Sequence, residues 1–147
     1  SKIIYMMRDP LQVIPSGLSL VTGVLDKRFN FWSLGSATQK RFIKRLYKAL
    51  VELMNRFHED WTNGKIKREK VLIVKFDFMM SDFENLMESI LVFLKIEKNS
   101  DLARSIKATA KDQRAFKSKH QYDLNRFGLT EKEIKSDCEK IYRTFLS

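Results

Sequence analysis

The run Ile3-Ile4-Tyr5-Met6-Met7 stands between Lys2 and Arg8 and is followed at once by Asp9-Pro10. A short unbroken apolar run bounded by charge predicts a strand buried on both faces, which is the pattern of a parallel sheet. Asp9-Pro10 then predicts a change of element, with an aspartate capping a helix and a proline at its first position. Leu11, Val13, Ile14, Leu18 and Val21 continue at helical spacing, and Pro15 and Gly17 should make the first turns irregular.

The rest of the chain repeats the alternation. Residues 25–36, LDKRFNFWSLGS, read as a loop with aromatic anchors. From about Ala37 to Glu59, the residues Phe42, Leu46, Leu50, Leu53, Met54 and Phe57 recur at steps of three and four opposite a basic face. Thr62-Asn63-Gly64 should end that helix. A second buried strand is predicted over Val71–Phe76. Ser81 or Asp82 then caps a helix through about Leu94, with Phe83, Leu86, Met87, Ile90 and Leu94 on its inner stripe. Residues 100–115 are weakly amphipathic and helical, and Lys117–Phe127 reads as a loop. Thr130-Glu131-Lys132-Glu133 is a capping box opening a terminal helix to about Phe145.

Strand, helix, helix, strand, helix is an α/β order. Two strands do not make a stable sheet alone, so the expectation is that their neighbours lie upstream and that residues 1–147 are part of a larger single domain.

Composition narrows the class. The 147 residues hold 44% apolar residues and eleven Phe, which is globular and not disordered. Five Gly and two Pro favour long helices over a many-stranded fold. No run of about eighteen apolar residues is present, so no membrane span is expected. The single cysteine, Cys138, falls in a helical pattern with Ile134, Ile141 and Tyr142 and is read as a buried thiol. Lys plus Arg number 28 against 18 acidic residues, a net charge of +10 that calls for an anionic partner or ligand. Much of Lys40–Arg45 and Lys65–Lys70 is read as solvated helix face. Zinc-finger, RNA-binding and basic-zipper patterns are absent, so nucleic acid is not the expected partner.

A strand ending in Arg8-Asp9-Pro10 and entering a helix has a physical use. Ligands in α/β folds bind where strand ends meet helix starts, and the helix dipole and first-turn N–H groups favour an anion there. Arg8 adds a planar fork able to grip a phosphate through two hydrogen bonds. Ser16, two turns on, can donate a hydroxyl. Taken alone, the same residues equally describe a surface arginine paired with Asp9 and a serine inside a helix.

The strand, the Arg-x-Pro and a serine eight residues after the arginine resemble the 3′-phosphate-binding motif of the sulfotransferases that use 3′-phosphoadenosine 5′-phosphosulfate (PAPS). Residues 71–96, VLIVKFDFMMSDFENLMESILVFLKI, are similar to that family's second strand, its Tyr-Glu-Asp-Leu-like segment and the following helix. Residues 120–134, HQYDLNRFGLTEKEI, resemble the His-x-Tyr and Phe-Gly-Leu-Thr/Ser-x-Glu pattern of the broad branch that includes tyrosylprotein sulfotransferases. The three segments occur in the family's order and span nearly the whole chain.

The resemblance implies a P-loop-type parallel sheet, of which this chain holds about two strands among mostly helices. It implies PAPS as co-substrate, no metal, and an acceptor bearing a hydroxyl or amine. It assigns the cofactor's 3′-phosphate to Arg8 and Ser16, and further contacts to Lys117, Ser118 and Lys119 of a basic loop. His120, in the His-x-Tyr pattern, reads as a structural hydrogen-bonding residue. Where the family often carries Tyr in the second-strand segment, this chain has Phe76, which cannot donate a hydrogen bond. The family's phosphosulfate-binding loop and its catalytic His or Glu are expected upstream, so the chain is predicted to be the C-terminal part of the domain and inactive alone.

Two other classes compete. Another P-loop enzyme such as a small kinase would need Mg²⁺, for which Asp77 is the candidate ligand. A basic helical module would bind polyanions with steep salt dependence and no nucleotide preference. His58, beside Glu59 and Asp60, is read as lying on a polar helix face, without a second His at ligand spacing. Trp32 and Trp61 read as core or loop anchors.

Overall fold

The structure is a computed structural model and describes residues 1–115 and 123–147. These form two compact units, one of Ser1–Arg8 with the described residues of Gly64–His120, the other of Asp9–Asn63 with the described residues of Gln121–Ser147.

In the first unit, strand β1 (Ile3–Met7) pairs with strand β2 (Val71–Lys75) in parallel, in register from Ile3↔Val71 to Met7↔Lys75. The α/β order is as the sequence predicts. The expected burial of β1 on both faces is not. Met7 is 2% exposed, but Ile4 and Met6, which share the opposite face, are 41% and 45% exposed. The cause is local cover: helices α3 (Phe76–Ser81) and α4 (Phe83–Leu94) pack on β2 and bury Val74. The sheet among the described residues stops at these two strands.

β2 ends one residue short of its predicted end, because Phe76 opens α3. Asp82 then breaks the chain out of helical conformation at φ −147°. Its carboxylate accepts the Asn85 N–H at 3.3 Å, so the cap is Asp82 and not Ser81. Leu86 is buried as predicted, joined by Leu91, while Phe83, Met87, Ile90 and Leu94 are half-buried. Helix α5 (Ser100–Ala115) is capped by Asn99, whose side chain accepts the Leu102 N–H at 2.8 Å. It packs on α4 and buries Ile106 and Ala110.

In the second unit, helix α1 (Pro10–Phe29) runs unbroken through Pro15 and Gly17. The predicted loop over 25–36 shrinks to 30–35, because Asn30 takes the left-handed conformation (φ 48°) and returns its N–H to the Asp26 carbonyl at 2.9 Å. Lys27 and Arg28 favour that helix end electrostatically. Phe31, in a short 3₁₀ turn, is buried against Phe42 in an edge-on contact.

Helix α2 (Ser36–Thr62) ends where predicted, but its buried centre is rotated. Ile43, Tyr47, Met54 and His58 are buried, the predicted Phe42, Leu46, Leu50 and Phe57 are half-buried, and Leu53 is 68% exposed. The predicted stripe missed Ile43, and it missed Tyr47 and His58, whose hydroxyl and Nε2 find partners on the C-terminal elements. α1 and α2 approach closely at Gly17, where a Cβ would meet Leu50 Cδ1 at 3.1 Å. Gly17 thus serves packing and does not loosen the helix.

The Thr130 capping box forms as predicted. Thr130 Oγ1 accepts the Glu133 N–H at 3.2 Å, and Glu133 accepts the Thr130 N–H at 2.8 Å. The single terminal helix does not. Helix α6 (Glu131–Asp137) stops at Cys138 (φ −108°, ψ 17°), helix α7 (Glu139–Ile141) follows, and Tyr142–Leu146 is a wider π turn. Asn125–Phe127, predicted as loop, is a 3₁₀ turn with Phe127 buried. Ile134, Cys138 and Ile141 are fully buried.

Candidate functional site

Arg8 and Phe76 occupy equivalent places on the two strands. The register closes at Met7↔Lys75, and the next residue on each chain segment is Arg8 and Phe76. The Arg8 guanidinium carbon lies 4.1 Å from the centroid of the Phe76 ring, and both side chains are half-buried. A guanidinium over an aromatic face gains about 0.5–2 kcal/mol, depending on how much water is excluded. The stack also restricts a side chain that otherwise carries about 2 kcal/mol of rotamer entropy.

The start of α1 differs from the expected open anion cradle. Pro10 has no N–H. Leu11 donates its N–H to Asp9 Oδ1 at 2.8 Å, and Gln12 and Val13 donate theirs to the Asp9 carbonyl at 2.8 and 3.0 Å. Asp9 Oδ1 also accepts the Tyr142 hydroxyl at 2.5 Å. The first turn therefore already has its negative charge, and its donors are engaged. Burial, then the bond to Asp9 and its charge, push the Tyr142 phenol well above its usual range. Any anion bound near this segment must be gripped by side chains, not by the backbone of the helix start.

Ser16 sits in the second turn of α1, half-buried, after the buried Pro15. It belongs to the helical unit and Arg8 to the sheet unit. Lys117, Ser118 and Lys119, with His120, lie outside the described residues.

The remaining candidates are structural. His58 is not on a polar face: it is buried, its Nε2 lies 2.9 Å from Thr144 Oγ1, and its ring meets Phe145 edge-on. Burial, and then the charges of Lys140 and Arg143, hold its pKa below the usual value. Trp32 packs edge-on to Phe31 and carries the Arg126 guanidinium 4.2 Å from its ring centroid. Trp61 stacks on Phe57 and meets Phe145. Both tryptophans are anchors, as expected. Cys138 is a buried thiol whose pKa burial pushes up to about 11, which leaves it unreactive at neutral pH. Asp77 lies exposed in the first turn of α3.

Besides the His58–Thr144 contact, two further polar ties escaped the sequence. Tyr142 reaches Asp9 across 133 residues, and Tyr47 donates to Asp137 at 2.7 Å across 90. No local pattern marks either. The Arg8–Phe76 stack left half a signal: Arg8 directly follows an apolar strand run, while Phe76 read as the last residue of its own strand.

Among the described residues, no three His, Cys, Asp or Glu side chains gather as a metal site, and no helix is long and apolar enough to cross a membrane. The model of the Sulfotransferase family matches residues 1–101, a span that includes β1, Arg8, Ser16, β2 and Phe76. The chain belongs to the sulfotransferase family, and is thereby a member of a group of enzymes that transfer sulfuryl groups. No curated protein and no solved structure matches it.

Proposed function

We propose that the chain is the C-terminal, 3′-phosphate-binding part of a sulfotransferase domain that moves a sulfuryl group from PAPS to a hydroxyl or amine acceptor. The observation that carries this reading is Arg8. It lies within the matched span, directly after a parallel strand, and its guanidinium is held on a ring face. Arg8 grips the 3′-phosphate through paired charge-assisted hydrogen bonds, and Ser16 adds a hydroxyl donor. Lys117, Ser118 and Lys119 add contacts from the basic loop.

The uncovered Ile4 and Met6 face of β1 supports the partial-domain reading, since a parallel sheet is ordinarily covered on both faces. The neighbouring strands of a P-loop-type sheet would lie in the rest of the protein. Sulfuryl transfer needs a donor held in line, cations on the developing oxygen charges, and a base for the acceptor. This chain supplies the first. The other two come from the rest of the domain, so the chain alone is inactive and no metal is needed.

The test is titration of the full-length protein with adenosine 3′,5′-bisphosphate. Arg8→Ala should weaken binding by about 1.5–3 kcal/mol, the size of a hydrogen bond to a charged group, and Ser16→Ala by about 1 kcal/mol. Parental affinity in both variants would overturn the site. Sulfuryl transfer by the isolated 147-residue chain would overturn the partial-domain reading.

A further inference from the structure

The contact between Arg8 and Phe76 is built by the sheet. β1 and β2 run parallel without a slip, and both end at the pair Met7↔Lys75. The two residues that follow are therefore delivered side by side at one edge of the sheet, where the guanidinium comes to rest 4.1 Å from the ring centroid. Position 76 is also the first residue of α3, so the ring's own backbone is held by a strand on one side and a helix on the other. A long flexible cation meets a short rigid aromatic.

We propose that Phe76 is a positioning residue for Arg8. Its ring face holds the guanidinium in the plane from which both N–H edges can reach a phosphate. This rests on the reading of Arg8 as the ligand of the nucleotide's 3′-phosphate. The role asks for a flat π face and not for a hydroxyl, so a phenylalanine fills it fully. A guanidinium whose rotamers are already restricted loses less freedom when the phosphate arrives, and binding is tighter for that reason.

The experiment is a double-mutant cycle on the full-length protein, titrated with adenosine 3′,5′-bisphosphate and, separately, with adenosine 5′-monophosphate. Phe76→Leu keeps bulk and removes the ring. It should weaken the bisphosphate about fivefold, in line with a half-exposed cation–π contact, and leave the monophosphate unchanged. Phe76→Tyr should restore parental binding, which also guards against a folding defect in the leucine variant. In an Arg8→Ala background, Phe76→Leu should cost nothing more. The proposal falls if Phe76→Leu weakens both nucleotides alike, or if its loss persists undiminished without Arg8. A third result is distinct from these: if Arg8→Ala binds the bisphosphate as tightly as the parent, the phosphate assignment itself fails, and the role of Phe76 with it.

Discussion

The two units solve the burial problem in opposite ways. The helical unit closes on itself: α1 packs on α2 and α6, and α2 packs on α7. At its centre Ile14, Leu18, Ile134, Cys138 and Ile141 are out of contact with water. Its buried polar groups are matched in part, although Asn55 Oδ1 and His58 Nδ1 are buried without a hydrogen bond among the described residues. Thr22 returns its hydroxyl to the Leu18 carbonyl at 2.7 Å, His58 meets Thr144, and Tyr47 meets Asp137. The sheet unit covers β2 with helices and leaves Ile3, Ile4 and Met6 of β1 exposed, with Met7 buried. The same kinds of apolar residue thus build a finished core in one unit and an unfinished one in the other. The difference lies in what packs on them and not in their hydrophobicity.

The largest effect that can test this contrast is a cavity. Ile141→Ala removes buried methylenes from a site with little room to relax, and should cost about 2–5 kcal/mol. Ile3→Ala, on an exposed part of β1, should cost well under about 1 kcal/mol. Urea unfolding of the two variants side by side checks both. Equal losses would mean that β1 is as well covered as the helical core.

A polar tie comes next in size. Tyr142→Phe leaves Asp9 with one donor fewer while keeping its cap on Leu11. Loss of a hydrogen bond to a carboxylate should cost about 1.5 kcal/mol. The same assay reads it, and a null result would show that water replaces the hydroxyl without penalty.

These ties mark what the sequence could and could not disclose. Local chemistry was legible: the Asp9 cap, the proline at the first helical position and the Thr130 capping box all form where their residue types predict. So was the strand pair, because a short apolar run followed by a cap admits few readings. Helix facing was less legible. α2 centres on Ile43, Tyr47, Met54 and His58 because two amphipathic side chains have partners far away in sequence, and no window of residues around them contains Asp137 or Thr144. The terminal helix breaks at Cys138, where no proline or glycine marks a break, and Ile134, Cys138 and Ile141 on either side of it are fully buried. At the candidate site, the arginine was legible from its place after the strand. The engagement of the α1 amides follows from the same Asp9 cap, whereas the Tyr142 hydroxyl on that carboxylate was not legible, because it comes from 133 residues away.

A smaller effect depends on pH. His58 is held below its ordinary pKa by burial and by the Lys140 and Arg143 charges, with Glu59 opposing them. The unfolded chain therefore takes up its proton first as pH falls. Stability is at its full value above about pH 6.5, the usual histidine pKa. It declines as pH drops from there toward the lower folded value. Thermal melts between pH 7.5 and 5.5 should show that decline, and His58→Gln, which cannot titrate, should flatten it. An unchanged slope in the variant would assign the decline to other groups.

The smallest expected effect bears most directly on the unfinished core. Ile4→Ser changes a residue that is 41% exposed beside the exposed Met6, so in the isolated chain its cost should stay within about 0.5 kcal/mol, as for ordinary surface changes. Binding of an apolar dye should fall in the same variant, because a contiguous exposed apolar face is what such dyes report. In the full-length protein, helices from the rest of the domain are proposed to cover this face. There the same substitution buries a hydroxyl without a partner and removes apolar burial, and should cost about 2–4 kcal/mol. The ratio between the two measurements is the informative quantity. If Ile4→Ser is as mild in the full-length protein as in the chain alone, the face is solvent-exposed in both, and the proposal that the rest of the domain covers it fails.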